Sequence, residues 1–251
     1  MKKQTIISIV NQKGGTGKTT TVLNLGAALV RQKKKVLVID SDPQGNLTYS
    51  LGLQDSTPTL GDLLLGEVTW GEVIKNSEGM EVIPADVSLV DAEISLTNVI
   101  GRELILKKIL NKVKGYDYVL VDCPPSLSLL TLNALCASDK VVIPLQLEVL
   151  SLQGLDKILN TIGQIREVFN PELSIEGVLP VMVDQRKNLT KEINSFLTSN
   201  YEVKVFQSSI RTNVKASESP SFGKSVIAYA PGSNSAVDYL NFAKELVQVN
   251  R

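Results

Sequence analysis

The sequence predicts an α/β domain, a mainly parallel twisted sheet with helices on both faces. Three observations point there. Short β-branched runs recur along the chain, helical patterns alternate with them, and a glycine-rich turn joins the first run to the first helix. Strands buried on both faces read as continuous apolar runs, and strand–helix alternation is what right-handed parallel crossovers require.

The elements follow in order. Residues 5–10 form the first strand run, and residues 18–32 place Val22, Leu25, Leu29 and Val30 on one side of a helix. Strand runs recur at 36–39, 80–84, 118–121, 141–145 and 175–183, each largely uncharged and bounded by turn or polar residues. Helical patterns are read at 86–98, 101–114, 126–137, 149–169, 188–199 and 235–249. Residues 101–114 align Leu104, Ile105, Ile109 and Val113. No linker, low-complexity tract or repeat interrupts the pattern, so residues 1–251 are expected to form a single domain. The last helix carries an apolar stripe of Val237, Leu240, Ala243, Leu246 and Val247. A lipid-surface helix pairs such a stripe with a basic face; this segment lacks one, so core packing is expected and no membrane partner.

Composition narrows the function classes. The chain has 43% hydrophobic and 21% charged residues, which excludes a disordered polymer. No apolar run reaches the roughly 20 residues of a membrane span, and the start of the chain lacks a leader pattern. There is no histidine, which removes histidine-based metal sites, general bases and Ser-His-Asp triads. Cys123 and Cys136, at unrelated places in the pattern, read as small buried hydrophobes of a reducing cytoplasm. The formal net charge is zero but unevenly spread. Residues 55–93 hold nine acidic groups against Lys75 alone. Residues 102–114 hold five basic groups against Glu103, and residues 186–224 hold seven against three acids. Either these are solvated surface charges, or they are faces of opposite sign for different partners.

Residues 13–20 read Lys-Gly-Gly-Thr-Gly-Lys-Thr-Thr between a strand and a helix, the context a phosphate-binding loop needs. Gly14, Gly15 and Gly17 let the backbone curl and aim its N–H groups, alongside Thr16, at phosphate oxygens. The helix that follows adds its positive N-terminal end. Lys18 is expected on the β- and γ-phosphates of ATP, with the Thr19 hydroxyl on Mg²⁺ and Thr20 beside it. Gln12 stands where the general pattern has glycine, and Lys13 is an addition to it. Lys13 is either a surface lysine or a cation that crosses a two-fold axis to a partner's nucleotide.

Residues 36–42 end a strand in two carboxylates, Asp40 and Asp42, and residues 43–46 then turn the chain. Residues 118–126 repeat the layout with Asp122 followed by Cys123-Pro124-Pro125. Ligands of open α/β sheets lie at these strand ends. Such aspartates either serve the metal and the attacking water or cap the next helix.

With residues 11–20, the Asp-Ser-Asp-Pro-Gln-Gly-Asn of 40–46 and the Asp-Cys-Pro-Pro-Ser of 122–126, the chain resembles the ParA/MinD group of deviant Walker-A ATPases. It is most similar to the short, Soj-type ParA members, and the likeness continues through 184–189 and 216–229. The resemblance implies that Lys13 reaches across an ATP-sandwich homodimer. It implies that Asp42 positions the attacking water, with Asp40 and Asp122 supporting the metal. It implies a cytoplasmic, nucleoid-associated protein whose ATP-bound dimers coat double-stranded DNA without sequence preference. A ParB-like or other adaptor would then stimulate hydrolysis and release them, so that a plasmid or chromosome moves. The N-terminal DNA-reading extension of larger members is not expected, since the loop begins near Met1.

Phosphate contacts on DNA need lysine and arginine, and the late basic segment offers Arg186, Lys187, Arg211, Lys215 and Lys224. Members commonly carry Pro-Arg after the position of Ile210, where this chain has Arg211-Thr212. The loop at 210–212 is the expected adenine contact, and the acidic stretch 55–93 a receiver for a basic partner peptide. Three rivals share the loop: the same machine with a protein cargo such as a microcompartment or receptor cluster, a membrane-cycling MinD-like regulator, and a metabolic enzyme on the same scaffold.

Overall fold

The computed structural model describes residues 4–184, 186 and 188–249. Among these, one sheet of eight strands forms: β1 (Thr5–Ile9), β2 (Val36–Asp40), β3 (Lys75–Ser77), β4 (Met80–Ile83), β5 (Tyr118–Asp122), β6 (Lys140–Gln146), β7 (Ser174–Val183) and β8 (Ile210–Arg211). Their spatial order is β3-β4-β2-β5-β1-β6-β7-β8. The pairings are parallel except β3 against β4. The helices are α1 (Lys18–Arg31), α2 (Asn46–Ser50), α3 (Leu60–Leu65), α4 (Trp70–Val73), α5 (Leu89–Leu96), α6 (Ile105–Lys112), α7 (Leu129–Ala137), α8 (Val149–Val168), α9 (Asn188–Asn200), α10 (Val214–Glu218), α11 (Val226–Tyr229) and α12 (Asn234–Val249).

The period of two along each strand builds two cores. Leu37, Ile39, Val119 and Val121 face one side, with residues of α3 and α5 to α8. Val36, Val38, Tyr118 and Leu120 face the other, with α1 and α12. Because both faces are covered, the six expected strand runs carry almost no charge, and all six are strands. The two strands that were not expected, β3 and β8, are short edge strands: β3 is polar throughout, and β8 has only two residues, the buried Ile210 and the half-buried Arg211.

The expected core packing of the last helix holds. Tyr239, Phe242, Ala243 and Leu246 of α12 are buried beside α1, while Val237 of the expected stripe faces solvent. Among the described residues no helix is long and apolar enough to cross a membrane. The parallel register brings β1, β2, β5 and β6 to a common carboxyl edge: Ile9 pairs with Asp122, and Asp40 with the same Asp122. That edge carries the candidate site.

Candidate nucleotide site

The loop after β1 is anchored before it turns. Asn11 donates to the Pro144 carbonyl at 2.6 Å, tying the loop to β6, and accepts the Lys13 N–H at 2.9 Å. Gly15 and Gly17 then take left-handed φ values of 71° and 75°, conformations that a Cβ would strain. Gly17 is the N-cap of α1 and makes no side-chain cap, so the first N–H groups of the helix are left for an anion.

Lys18 lies buried at the head of α1 with its amine 3.5 Å from the Lys13 carbonyl. Burial pulls its pKa below the ordinary value, and the charges of Asp122 and Asp42 oppose the fall. Both Asp122 oxygens are fully buried without a hydrogen-bond partner. Burial, then the charge of Asp40, pushes its pKa well up; the Thr19 hydroxyl is close enough to work against this without making a well-formed hydrogen bond. A buried, unpaired carboxylate beside a threonine hydroxyl at a helix N-terminus is a hard oxygen donor set. It fits Mg²⁺, which takes one or two protein oxygens and fills the rest with phosphate and water.

Asp40 is different. Its Oδ2 accepts the Thr48 N–H at 2.9 Å and the Thr48 hydroxyl at 2.7 Å, and its Oδ1 accepts the Asp42 N–H. These donors turn the carboxylate onto α2, the arrangement of the helix-capping reading, and leave Asp122 as the unpaired carboxylate of the two. Even with these bonds, burial raises the Asp40 pKa to about 6. Asp42 sits at the head of the next loop, where its Oδ1 accepts the Gln44 N–H at 3.0 Å. The Lys13 side chain leaves its own loop: the amine donates to Gln146 and Glu148, each at 3.0 Å, at the exposed end of β6. Gln146 and Glu148 had no signal in the sequence, because 133 and 135 positions separate them from Lys13.

Three of the DNA candidates have acidic partners within the chain. Arg186 is forked onto Asp184 with both distances 2.9 Å, and Arg211 is forked onto Asp238. Lys215 pairs with Glu218 at 2.8 Å and lies over the Tyr229 ring. Each cation is therefore largely neutralised within its own chain. Lys224 is exposed, and Lys187 lies outside the described residues. Val183 stands in register with Arg211, so Arg186 and Arg211 leave the sheet at the same edge. The 210–212 segment expected at adenine is three strands from β1, roughly 14 Å at the usual strand spacing.

Residues 4–175 match the family model described as "AAA domain". The sporulation initiation inhibitor protein Soj of Bacillus subtilis (strain 168) is 47% identical over 246 residues, covering 96% of this chain and 97% of that protein. The chromosome partitioning protein ParA of Caulobacter vibrioides (strain NA1000 / CB15N) is 41% identical over 253 residues, with 98% and 95% covered. Among solved structures, cobyrinic acid a,c-diamide synthase from Mycobacterium smegmatis with bound ADP and magnesium has a TM-score of 0.87 at 37% identity, covering 98% of this chain and 95% of that one. The septum site-determining protein MinD of Pyrococcus horikoshii OT3 complexed with Mg-ADP has a TM-score of 0.81 at 25% identity, with 99% and 98% covered. Phosphate loop, strand-end aspartates and near full-length likeness to Soj and ParA agree: the chain belongs to the ParA/Soj family of partition ATPases.

Proposed function

We propose that this chain is a positioning ATPase whose ATP-bound homodimer holds double-stranded DNA without sequence preference and releases it when an adaptor protein stimulates hydrolysis. The observation that carries the reading is Lys13. It stands on a phosphate loop, yet its amine points outward to Gln146 and Glu148, away from the loop's own nucleotide pocket. A cation so placed serves a nucleotide on another copy better than its own.

In this reading the loop N–H groups and Lys18 bind the β- and γ-phosphates, and Thr19 with Asp122 would hold Mg²⁺. When bound, that ion neutralises phosphate charge during transfer to water. Asp42 orients the attacking water from a loop that can move, and Lys13 of the opposite copy supplies the last positive charge. Hydrolysis then tracks assembly of the dimer. DNA binding follows from assembly as well, since two weak basic patches joined rigidly gain by avidity what neither has alone. Lys224 and the region around Arg186 supply the patch. The paired arginines make a single copy weak, which suits a switch of this kind. The reading places the protein in the cytoplasm over the nucleoid.

Protein cargo carried by the same DNA-coating cycle would use the same site, and the choice belongs to the adaptor. The MinD-like membrane reading has less support, because the apolar side of α12 is spent on α1.

Sedimentation velocity with a non-hydrolysable ATP analogue tests the dimer. Wild type is expected to move from monomer to dimer only with nucleotide and Mg²⁺, and Lys13→Ala to hydrolyse far more slowly. A dimer that ignores nucleotide, or normal hydrolysis in Lys13→Ala, would contradict the proposal.

A further inference from the structure

Helix α5 buries one side and leaves an apolar stripe on the other. Leu89, Ala92 and Leu96 pack inward, towards α3. Val90 and Ile94, one helical turn apart, remain 41% and 61% exposed, and Val87 just before the helix is 74% exposed. Beyond its end Val99 and Ile100 are exposed too, Ile100 at 98%. Scattered apolar residues on a surface mean little, whereas positions 87, 90 and 94 share one face.

The rim of this stripe is acidic. At the head of α5 an open groove of about 780 Å³ is lined by Asp62, Glu67, Glu72 and Asp86, with Thr57 and Pro58, and by no cation. Asp91 is exposed on the helix itself. Lys75, the one cation between residues 55 and 93, spends its amine on the Thr57 carbonyl at 2.7 Å. Hydrogen bonds from Thr69 hold the Glu72 carboxyl below its ordinary pKa, so Glu72 stays ionised at neutral pH.

We infer that the outer face of α5 and the acidic groove at its head dock a basic amphipathic segment of the hydrolysis-stimulating adaptor. Its apolar side lies on Val87, Val90 and Ile94, and its cations sit over Asp86, Asp91 and Glu67. Charge selects this occupant. A second copy would bring acid against acid across a two-fold axis, and DNA or an anionic membrane would be repelled. A basic segment with an apolar side satisfies both parts of the surface. The inference rests on the reading of the chain as an adaptor-stimulated ATPase, and the position fits that role. Ala85, two residues before Val87, donates its N–H to Thr48 at 2.9 Å, and its carbonyl abuts Gly45 on the loop that carries Asp42.

The test uses the full chain and labelled synthetic peptides of about 18 residues, five turns of helix. One has leucines on one face and lysines on the other, one is its scrambled version, and one has glutamate for lysine. Fluorescence anisotropy is read at about 50 mM and about 300 mM salt. The basic amphipathic peptide is expected to bind wild type. Val90→Ser with Ile94→Ser should weaken it by about tenfold or more, the loss of roughly one buried aliphatic contact. Glu67→Gln with Asp91→Asn should weaken it at low salt and much less at high salt. Val87→Ser, outside the helix, repeats the apolar test independently of helix folding. Equal binding of the scrambled peptide, or unchanged binding by the serine variants, overturns the inference. Loss of self-association or of anionic-vesicle pelleting in the serine variants overturns it too, by naming another occupant. ATP hydrolysis and ATP-dependent DNA retention are measured alongside. If those fail in wild type while peptide binding holds, the functional reading falls and the docking surface stands.

Discussion

Replacing Asp122 by asparagine separates the cost of this carboxylate to the empty fold from its use in holding a ligand. Both oxygens are buried and unpartnered, and burial together with the Asp40 charge raises the pKa well above its ordinary 3.8. The native state therefore keeps the proton after the unfolded chain has lost it. Stability from this group is complete below pH 3.8 and is lost as pH rises towards the folded value. Each pH unit in that window costs about 1.4 kcal/mol. For a chain of this length that is a fall of roughly 3–5 °C in Tm per unit. Asparagine has the same shape and no proton to lose, so its profile lacks this slope. Asp40, with a pKa near 6, titrates in both proteins and largely drops out of the difference. Scanning calorimetry from pH 5 to pH 8, without nucleotide and with a chelator, should show the variant gaining on wild type as pH rises. With excess ATP and Mg²⁺ the order should reverse. Wild type gains about 3 kcal/mol at a hundredfold excess over Kd, and the variant much less. Parallel melting profiles across that range would refute the assignment of a destabilised, ligand-ready carboxylate.

Four further outcomes follow from the same geometry. Gly45→Ala places a Cβ 2.8 Å from the Ala85 carbonyl at a φ of +61°; a loss of about 1–3 kcal/mol is expected, read as a lower Tm together with slower hydrolysis. Asp42→Asn should keep the nucleotide-induced rise in Tm while kcat falls by about a hundredfold or more, measured as phosphate release. Arg211→Ala strands a buried Asp238 and should cost about 2 kcal/mol of stability with little change in the salt dependence of DNA binding. Lys224→Ala should leave Tm within about 1 °C and lower the slope of log K against log salt by about 1 per chain.

The strands were legible because a sheet covered on both faces demands continuous apolar runs, and β1, β2, β4, β5, β6 and β7 all carry them. The phosphate loop was legible because glycine, lysine and threonine act through local backbone geometry. What stayed hidden depends on distant partners. Asp40 and Asp42 look alike on a strand end, and only the chain's return at Thr48 tells a helix cap from a free carboxylate. Arg211 read as a free cation because its acid, Asp238, lies 27 residues on, beyond the segment whose charges were compared. Helices α2, α3 and α4 are four to six residues long, too short for a period of 3.6 to register. Capping boxes at Thr59 with Asp62 and at Thr69 with Glu72 were the signals that could have found two of them.

Binding of unrelated duplex DNA, followed with ATP, with ADP and without nucleotide at two salt concentrations, puts the whole cycle at risk in one assay. Retention is expected only with ATP, weakened by salt, and lost in Lys13→Ala. Retention that ignores nucleotide, or its absence in every state, would contradict the DNA-positioning account and leave only nucleotide hydrolysis standing.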